Sequence, residues 1–316
     1  MNKRDFLPIV FEPVFMERVW GGRRLESLYG KKLPRGVPVG ESWEVVDREE
    51  AQSVVRAGPL RGRTLHDLWT EYRDEIFGDV SDAPRFPLLI KLLDAHDTLS
   101  LQVHPPERVA VELGGEPKTE FWYIADAMKT AELFVGLTRS LSPEIFAQAI
   151  AEGNVEELAH RFPVKTGDAM FLPSGRLHAI GAGNLIVEVQ QNGDTTYRVS
   201  DWNRSDSEGG SRKLHVAESL RCIDFGDVRP QLTRPHGESL VSHELFNVDK
   251  WQLRSPREAA EDKKFAIVCC LTGALTCAGV TLRPGEFFLV PAALQDRAVG
   301  PAARDTSLLR ITIGAS

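Results

Sequence analysis

Cysteine is scarce in this chain of 316 residues: there are four. They stand at Cys222, Cys269, Cys270 and Cys277, with no CxxC pair among them. That pattern excludes a disulfide framework and makes a reducing compartment, the cytoplasm, the expectation. Positive charge is also in short supply. Thirty-eight Lys and Arg stand against 45 Asp and Glu, a net charge of -7, so neither a nucleic-acid partner nor general affinity for polyanions is expected. A negatively charged small molecule would need a local basic pocket against that background. Long apolar runs are missing too. The longest uncharged stretch, from Phe265 up to Arg283, is interrupted by Thr272-Gly273 and Thr276, and reads as two strands and a turn instead of a membrane helix. The opening residues, MNKRDFLPIVFEP, hold an apolar run too short for a signal peptide and broken by Pro8. No low-complexity segment appears. What remains has the composition of an ordinary globular protein, 42% hydrophobic and 26% charged, long enough for two domains.

The most informative stretch is Lys165 to His178, KTGDAMFLPSGRLH. Gly167-Asp168 signals a turn, Ala169 to Leu172 is a strand-length apolar run, and Pro173-Ser-Gly175 signals a second turn. The expectation is a hairpin that presents His178 on its returning strand. Upstream, LSLQVHP alternates Gln102 and His104 on one strand face, because side chains two apart point the same way. Glu120 follows Lys118-Thr119 and opens the strand Phe121 to Ile124. His104, Glu120 and His178, with Gln102 as an available fourth donor, can hold a divalent cation. Imidazole suits zinc, iron or nickel, and a carboxylate with open positions is typical of catalytic metal. Taken singly, His104 reads more readily as a satisfied barrel histidine and Glu120 as an ordinary surface carboxylate; it is the set that points to metal.

Along the rest of the chain, Thr64 is a helix N-cap with Asp67 three residues on, and Leu65, Leu68, Trp69, Tyr72 and Ile76 keep helical spacing up to Gly78. The run from Phe86 to Leu93 reads as a buried strand interrupted by Lys91. That lysine either faces a polar cavity or snorkels from an edge. Pro105 to Glu112 predicts a short helix, and Phe121–Ile124 with Ala131–Gly136 a strand pair. Helices are predicted from Ser142 to Ala151, from Asn154 to Arg161 with His160 on it, and from Lys213 to Cys222. Leu185–Gln190 and Thr195–Val199 are strands, with Arg198 in the second, near Asp201. From about Pro230 a Pro- and Gly-bearing linker leads to short strands. Within them Gly285-Glu-Phe-Phe-Leu-Val-Pro291 echoes Gly167-Asp-Ala-Met-Phe-Leu-Pro173. Ala293 and Asp296 take the places of Gly175 and His178, which predicts a second unit without metal ligands.

The spacing Gly-x5-Pro-x-Gly-x2-His, at Gly167, Pro173, Gly175 and His178, resembles a signature motif of the cupin barrels. The segments LSLQVHP, PKTEFWYI, LPSGRLHAIG and VEVQQNGDTTYRVSDW resemble, in that order, the type I mannose-6-phosphate isomerases in their short bacterial form. The likeness runs from about Trp20 to Leu220 and continues more weakly to the end. It implies a mainly β fold of two cupin-like jelly-roll barrels with a few inserted helices. Residues 1–230 would form the metal-binding domain and 231–316 a degenerate one. It implies one Zn2+ per chain held by His104, Glu120 and His178, with Gln102 beside them. Arg198 and Lys118 would be catalytic, and Lys91 and Ser100 would hold the polar or phosphate end of a sugar phosphate. The activity implied is exchange of mannose 6-phosphate and fructose 6-phosphate by a monomer or homodimer with no membrane partner. Where cupins usually carry His-x-His, this chain has Gln102-Val-His104, which favours the isomerases over the oxygenases. Isomerisation needs a base, for which Lys118, Glu41 and Asp201 are candidates, and Glu41 is also a candidate substrate contact. Arg176, in the turn before His178, is a further candidate cation for the phosphate. The rival readings are a cupin oxygenase on non-haem metal and a non-catalytic sugar-binding barrel.

Overall fold

A computed structural model describes residues 6–80, 82–204 and 212–314. The chain is mainly β. Strands Ala169–Leu172, Glu120–Ala127, Asn184–Gln191, Leu88–Ala95, Val14–Gly22 and Val39–Val45 lie in that order in a six-stranded sheet. Facing it is a five-stranded sheet ordered Ala159–Pro163, Glu132–Leu137, His178–Ile180, Leu101–Val103 and Tyr197–Ser200. Trp20, Leu93, Trp122 and Ile186 from the first sheet share one core with Leu133, Val135 and Ile180 from the second. Among the described residues neither sheet closes into a barrel.

The strand Leu88–Ala95 shows how one period-2 pattern serves two layers. Leu88, Ile90 and Leu92 point outward into a core shared with a second sandwich, while Leu93 and Ala95 point inward to the first. Lys91 has the inward parity. The second sandwich packs a five-stranded sheet, built on Phe246–Gln252, Ala266–Thr272 and Ser307–Ile313, against a four-stranded one that includes Leu275–Cys277 and Ala298–Pro301. Phe246, Ile267, Leu289 and Ile311 of that half meet Ile90, Phe121 and Val187 of the first. Ile9 also pairs its backbone with Leu289, N to O 2.8 Å. Among the described residues no helix is long and apolar enough to cross a membrane.

Thr64 caps its helix through a complete capping box with Asp67, but the helical spacing is delivered as two pieces, Leu65–Glu71 and Arg73–Ile76, broken at Tyr72. The helix after His104 spans Glu107–Leu113, with Pro106 at its N-cap. The helix near residue 213 is only Val216–Cys222. Asn154 to Arg161 is not a helix. It is a 3-10 turn, Val155–Leu158, running into the strand Ala159–Pro163, so His160 sits on a strand. The segments around Phe121–Ile124 and Ala131–Gly136 are strands but do not pair, because Glu120–Ala127 and Glu132–Leu137 lie in opposite sheets.

The stretch around His178 is likewise no hairpin. Ala169–Leu172 pairs with Glu120–Ala127, whereas His178–Ile180 pairs with Glu132–Leu137 across the sandwich. The turn at Gly175 (φ 90°) is a corner between layers. The echo repeats this path, since Phe287–Val290 edges one sheet and Ala298–Pro301 belongs to the facing one. Gly167 and Gly285 both hold positive φ, 96° and 78°, which an L side chain resists. A Cβ at Gly285 would lie 2.4 Å from the Tyr29 ring, while one at Gly167 meets only Lys250 Nζ at 4.0 Å. Both alanine substitutions should therefore cost about 1 kcal/mol in backbone strain. Gly285→Ala should lose roughly 1–3 kcal/mol more from overpacking. Urea midpoints of the two variants check this, and equal losses would refute the packing argument.

Candidate metal centre and its cavity

Three elements bring the donors together. His104 follows the strand Leu101–Val103, Glu120 opens Glu120–Ala127, and His178 opens His178–Ile180. All three are at least 98% buried. Their ligand atoms lie within 4.8 Å of one another, and among the described residues this is the only such cluster. His104 Nδ1 donates to Thr195 O at 2.9 Å, and His178 Nδ1 to Arg176 O at 2.9 Å. These bonds favour the tautomer that turns an Nε2 lone pair of each ring inward. His104 Nε2 stands 3.3 Å from Glu120 Oε1, and His178 Nε2 3.8 Å from Glu120 Oε2. Tetrahedral ligands at roughly 2.0–2.1 Å from an ion are about 3.3 Å apart, so the spacing suits a small divalent cation.

The electrostatics agree with that fit. Burial pushes the His178 imidazole down to about 3, with His104 adding to it, and burial with Lys118 lowers His104. Both rings are therefore neutral, as metal ligands must be. Burial alone would raise the Glu120 carboxyl, but the Lys118 ammonium outweighs it and holds it well below the usual range. Among the described residues neither His104 Nε2 nor Glu120 Oε2 has a hydrogen-bond partner, although both are buried. Orphaned acceptors in a dry pocket are costly unless a cation satisfies them.

A cavity of about 410 Å³ opens beside the cluster. Lys91, Ser100, Gln102, Lys118, Glu41 and Arg198 all line it. Gln102 Nε2 donates to His178 Nε2 at 3.3 Å. An amide nitrogen and oxygen are interchangeable by a flip, so the same residue can offer its oxygen to an ion. Lys118 Nζ is 2.7 Å from Glu120 Oε1. Burial would lower its ammonium, but Glu120, Glu188 and Asp194 outweigh this and raise it. Lys91 does face the cavity and is no edge-strand snorkeller. It is 96% buried, 3.2 Å from Glu188 and 3.8 Å from Glu41, over the Trp43 ring. Burial would raise the Glu41 carboxyl, but Lys91 and Arg18 hold it down at about 2.

Some candidates are engaged elsewhere. Arg176 is outside the cavity, forked onto Asp227 at 2.7 and 2.9 Å. Asp201 does not meet Arg198; Arg204 and Arg212 clasp it. Two functional-looking residues escaped notice in the sequence. Glu188 lies mid-strand in an apolar run, 97% buried, accepting from Trp122 Nε1 at 2.9 Å. Its signal was there, an acid with inward parity opposite Lys91. Arg212 lines the cavity from an irregular segment, where no periodicity could point to it.

Comparison with known proteins gives one consistent result. The sequence model of the family "Phosphomannose isomerase type I, catalytic domain" matches residues 9–149. Mannose-6-phosphate isomerase ManA of Bacillus subtilis is 39% identical over 275 residues, covering 84% of this chain and 86% of its own. A mannose-6-phosphate isomerase of Streptococcus mutans is 37% identical over 298 residues, 89% of this chain and 92% of its own. The crystal structure of the mannose 6-phosphate isomerase from Bacillus subtilis superposes with a TM-score of 0.86 at 36% identity, covering 97% of this chain and 99% of that one.

Proposed function

The chain belongs to the type I phosphomannose isomerase family, and from that membership we propose that it interconverts mannose 6-phosphate and fructose 6-phosphate by moving a proton between C1 and C2. The observation that carries this reading is the convergence of His104, Glu120 and His178 beside a cavity walled by Lys91, Lys118 and Arg198. His104, Glu120 and His178 would hold zinc, with Gln102 positioned to join them. When bound, the ion supplies Lewis-acid stabilisation of the charge that develops on the sugar oxygens.

The remaining roles fall to the chain itself. Lys118 and Arg198 are cations beside the reacting end, suited to a developing oxyanion, since a guanidinium stays protonated and makes a poor base. Lys91, Ser100, Gln102 and Glu41 hold the sugar. Of the earlier base candidates, Glu41 is committed to Arg18 and Lys91, and Asp201 to Arg204 and Arg212. Lys118 is kept protonated by its carboxylate neighbours. Glu188 suits proton transfer better, because burial and Glu120 raise its carboxyl above its ordinary value against the pull of Lys91 and Lys118.

Each pair of facing sheets is, in this reading, a cupin-like jelly roll. Residues 1–230 carry the metal and 231–316 form a degenerate copy, supported by the shared edge-strand path of Gly167–Pro173 and Gly285–Pro291. The scarcity of cysteine supports a cytoplasmic enzyme. An oxygenase would share the His-Glu-His set, but five cations lining the cavity, Arg18, Lys91, Lys118, Arg198 and Arg212, favour a phosphorylated substrate.

Isomerase activity, followed by coupling fructose 6-phosphate or mannose 6-phosphate formation to a dehydrogenase, tests the proposal across several sugar phosphates. Turnover should vanish with chelator and return with zinc. Chelator-resistant turnover would overturn the metal role, and oxygen uptake in place of isomerisation would overturn the reaction.

A further inference from the structure

The carbonyl that aims one of the metal donors belongs to a segment without regular secondary structure. Residues 192–196 cross from the strand Asn184–Gln191 in the six-stranded sheet to Tyr197–Ser200 in the facing one. The His104 backbone is pinned separately, its carbonyl accepting from Gly175 N at 2.8 Å. Its ring is turned by Nδ1, which donates to Thr195 O at 2.9 Å. Whatever places Thr195 O therefore places the Nε2 lone pair of His104.

Two sets of bonds hold that crossing segment. Asn192 is fixed at its start. The Asn192 Nδ2 donates to Asp47 O and Phe86 O at 2.9 and 2.8 Å, and its carbonyl accepts from Arg85 Nη2 at 2.8 Å. The two residues that lead to the critical carbonyl rest on Glu116. Its carboxylate accepts from Asp194 N at 3.1 Å, and its own N–H donates to Thr195 Oγ1 at 2.9 Å. Glycines let the two loops touch here. A Cβ at Gly193 would lie 2.4 Å from Pro117 O, and one at Gly115 would lie 3.0 Å from the Thr195 side chain.

Glu116 is anchored in its turn. Arg48, 91% buried, reaches its Oε2 at 3.0 Å, and Arg85 makes a short contact with its Oε1. Burial would raise this carboxyl, but Arg85, the Asp194 N–H and Arg48 outweigh it and hold it below its ordinary value. A carboxylate that accepts from two guanidiniums and an amide is a stiff support. Glu116, Arg48 and Arg85 stand outside the residues that wall the cavity, so contact with a sugar does not account for them.

We propose that Glu116, anchored by Arg48 and Arg85, is a positioning residue that holds Thr195 O against His104 and thereby sets how tightly the metal centre retains its ion. This rests on the reading of His104, Glu120 and His178 as metal ligands.

The test follows zinc release from the metal-loaded protein to a competing chelator, with the visible spectrum of the cobalt-substituted protein as a second readout. Glu116→Ala should weaken zinc binding by at least about tenfold, the usual scale for a partner that orients a ligating imidazole, and should shift the cobalt bands. Glu116→Gln keeps an acceptor for Asp194 N and should recover part of the loss. Thr195→Val removes the acceptor of the Glu116 N–H and should weaken binding in the same sense. Glu238→Gln breaks an exposed ion pair with Arg257 in the other half and should leave both readouts unchanged. Thermal melting identifies the folded variants, and the glutamine and valine variants carry the test if the alanine one does not fold. Parent affinity and parent cobalt bands in every folded variant of Glu116 and Thr195 overturn the proposal. So does a loss that Glu238→Gln matches. A parent chain that retains no zinc shows instead that the ligand set is wrong, and the positioning role falls with it.

Discussion

His178→Ala will leave a folded protein that no longer retains a stoichiometric divalent metal and whose kcat/KM for mannose 6-phosphate is lower by on the order of 10³-fold, equivalent to about 4 kcal/mol of barrier. The argument is geometric. His178 Nε2 is one of three donors that meet in a fully buried spot, and its ring is aimed there by the bond from Nδ1 to Arg176 O. Alanine deletes the donor and leaves two ligands, too few to hold a catalytic ion that normally has three protein donors. The fold should survive, because His178 sits at the first position of a three-residue strand whose Ala179 and Ile180 still pair with Phe134 and Leu133. Metal content by mass spectrometry and turnover must fall together. Retained turnover in His178→Ala, or in the parallel His104→Ala, would dissolve the ligand set.

Lys91→Ala will have the second large effect, and on two measurements. Lys91 is the cation between two buried carboxylates, Glu41 and Glu188. Removing one member of a buried ionic network leaves uncompensated charge and typically costs about 3–5 kcal/mol. Arg18 and Trp43 Nε1 continue to hold Glu41 at 2.7 and 2.6 Å, so the lower end of that range is expected. The deficit falls mainly on Glu188, so adding Glu188→Gln to Lys91→Ala should recover part of the lost urea midpoint. In the folded fraction, KM for mannose 6-phosphate should rise more than kcat falls. An unchanged midpoint would mean that water already screens both carboxylates, and an unchanged KM would remove Lys91 from the substrate wall.

The sequence disclosed the parts of this site more readily than their arrangement. Lys91 could be singled out because a charge inside Phe86–Leu93 violates the run around it. His104, Glu120 and His178 were legible because their neighbours carry motif spacing. Pairing partners were not legible. Period-2 alternation in Phe121–Ile124 and Ala131–Gly136 says that each is a strand, but nothing local says that the two belong to opposite layers. The same limit turned the corner at Gly175 into an apparent hairpin. Asn154 to Arg161 misled for another reason: a cap-like Asn154 with Glu157 fits the start of a helix, yet strand pairing of Phe162 with Leu133 claims the residues that would have continued it. Glu188 was hidden by its own apolar neighbours. Arg212 became visible only when Asp201 was seen to bind it instead of Arg198.

The outer face of the six-stranded sheet carries one more implication. Phe77 and Phe86 meet Phe265 edge-to-face at 5.3 and 5.9 Å, and Trp69 meets the same two phenylalanines edge-to-face. That aromatic knot ties the strand bearing Lys91 to a partner more than 170 positions further along. Among the described residues the half beyond Pro230 holds no cluster of metal-ligating side chains, and it backs the half that brings His104, Glu120 and His178 together. Without it Ile90, Leu92 and Val187 would be exposed to water, so the two halves are expected to unfold together.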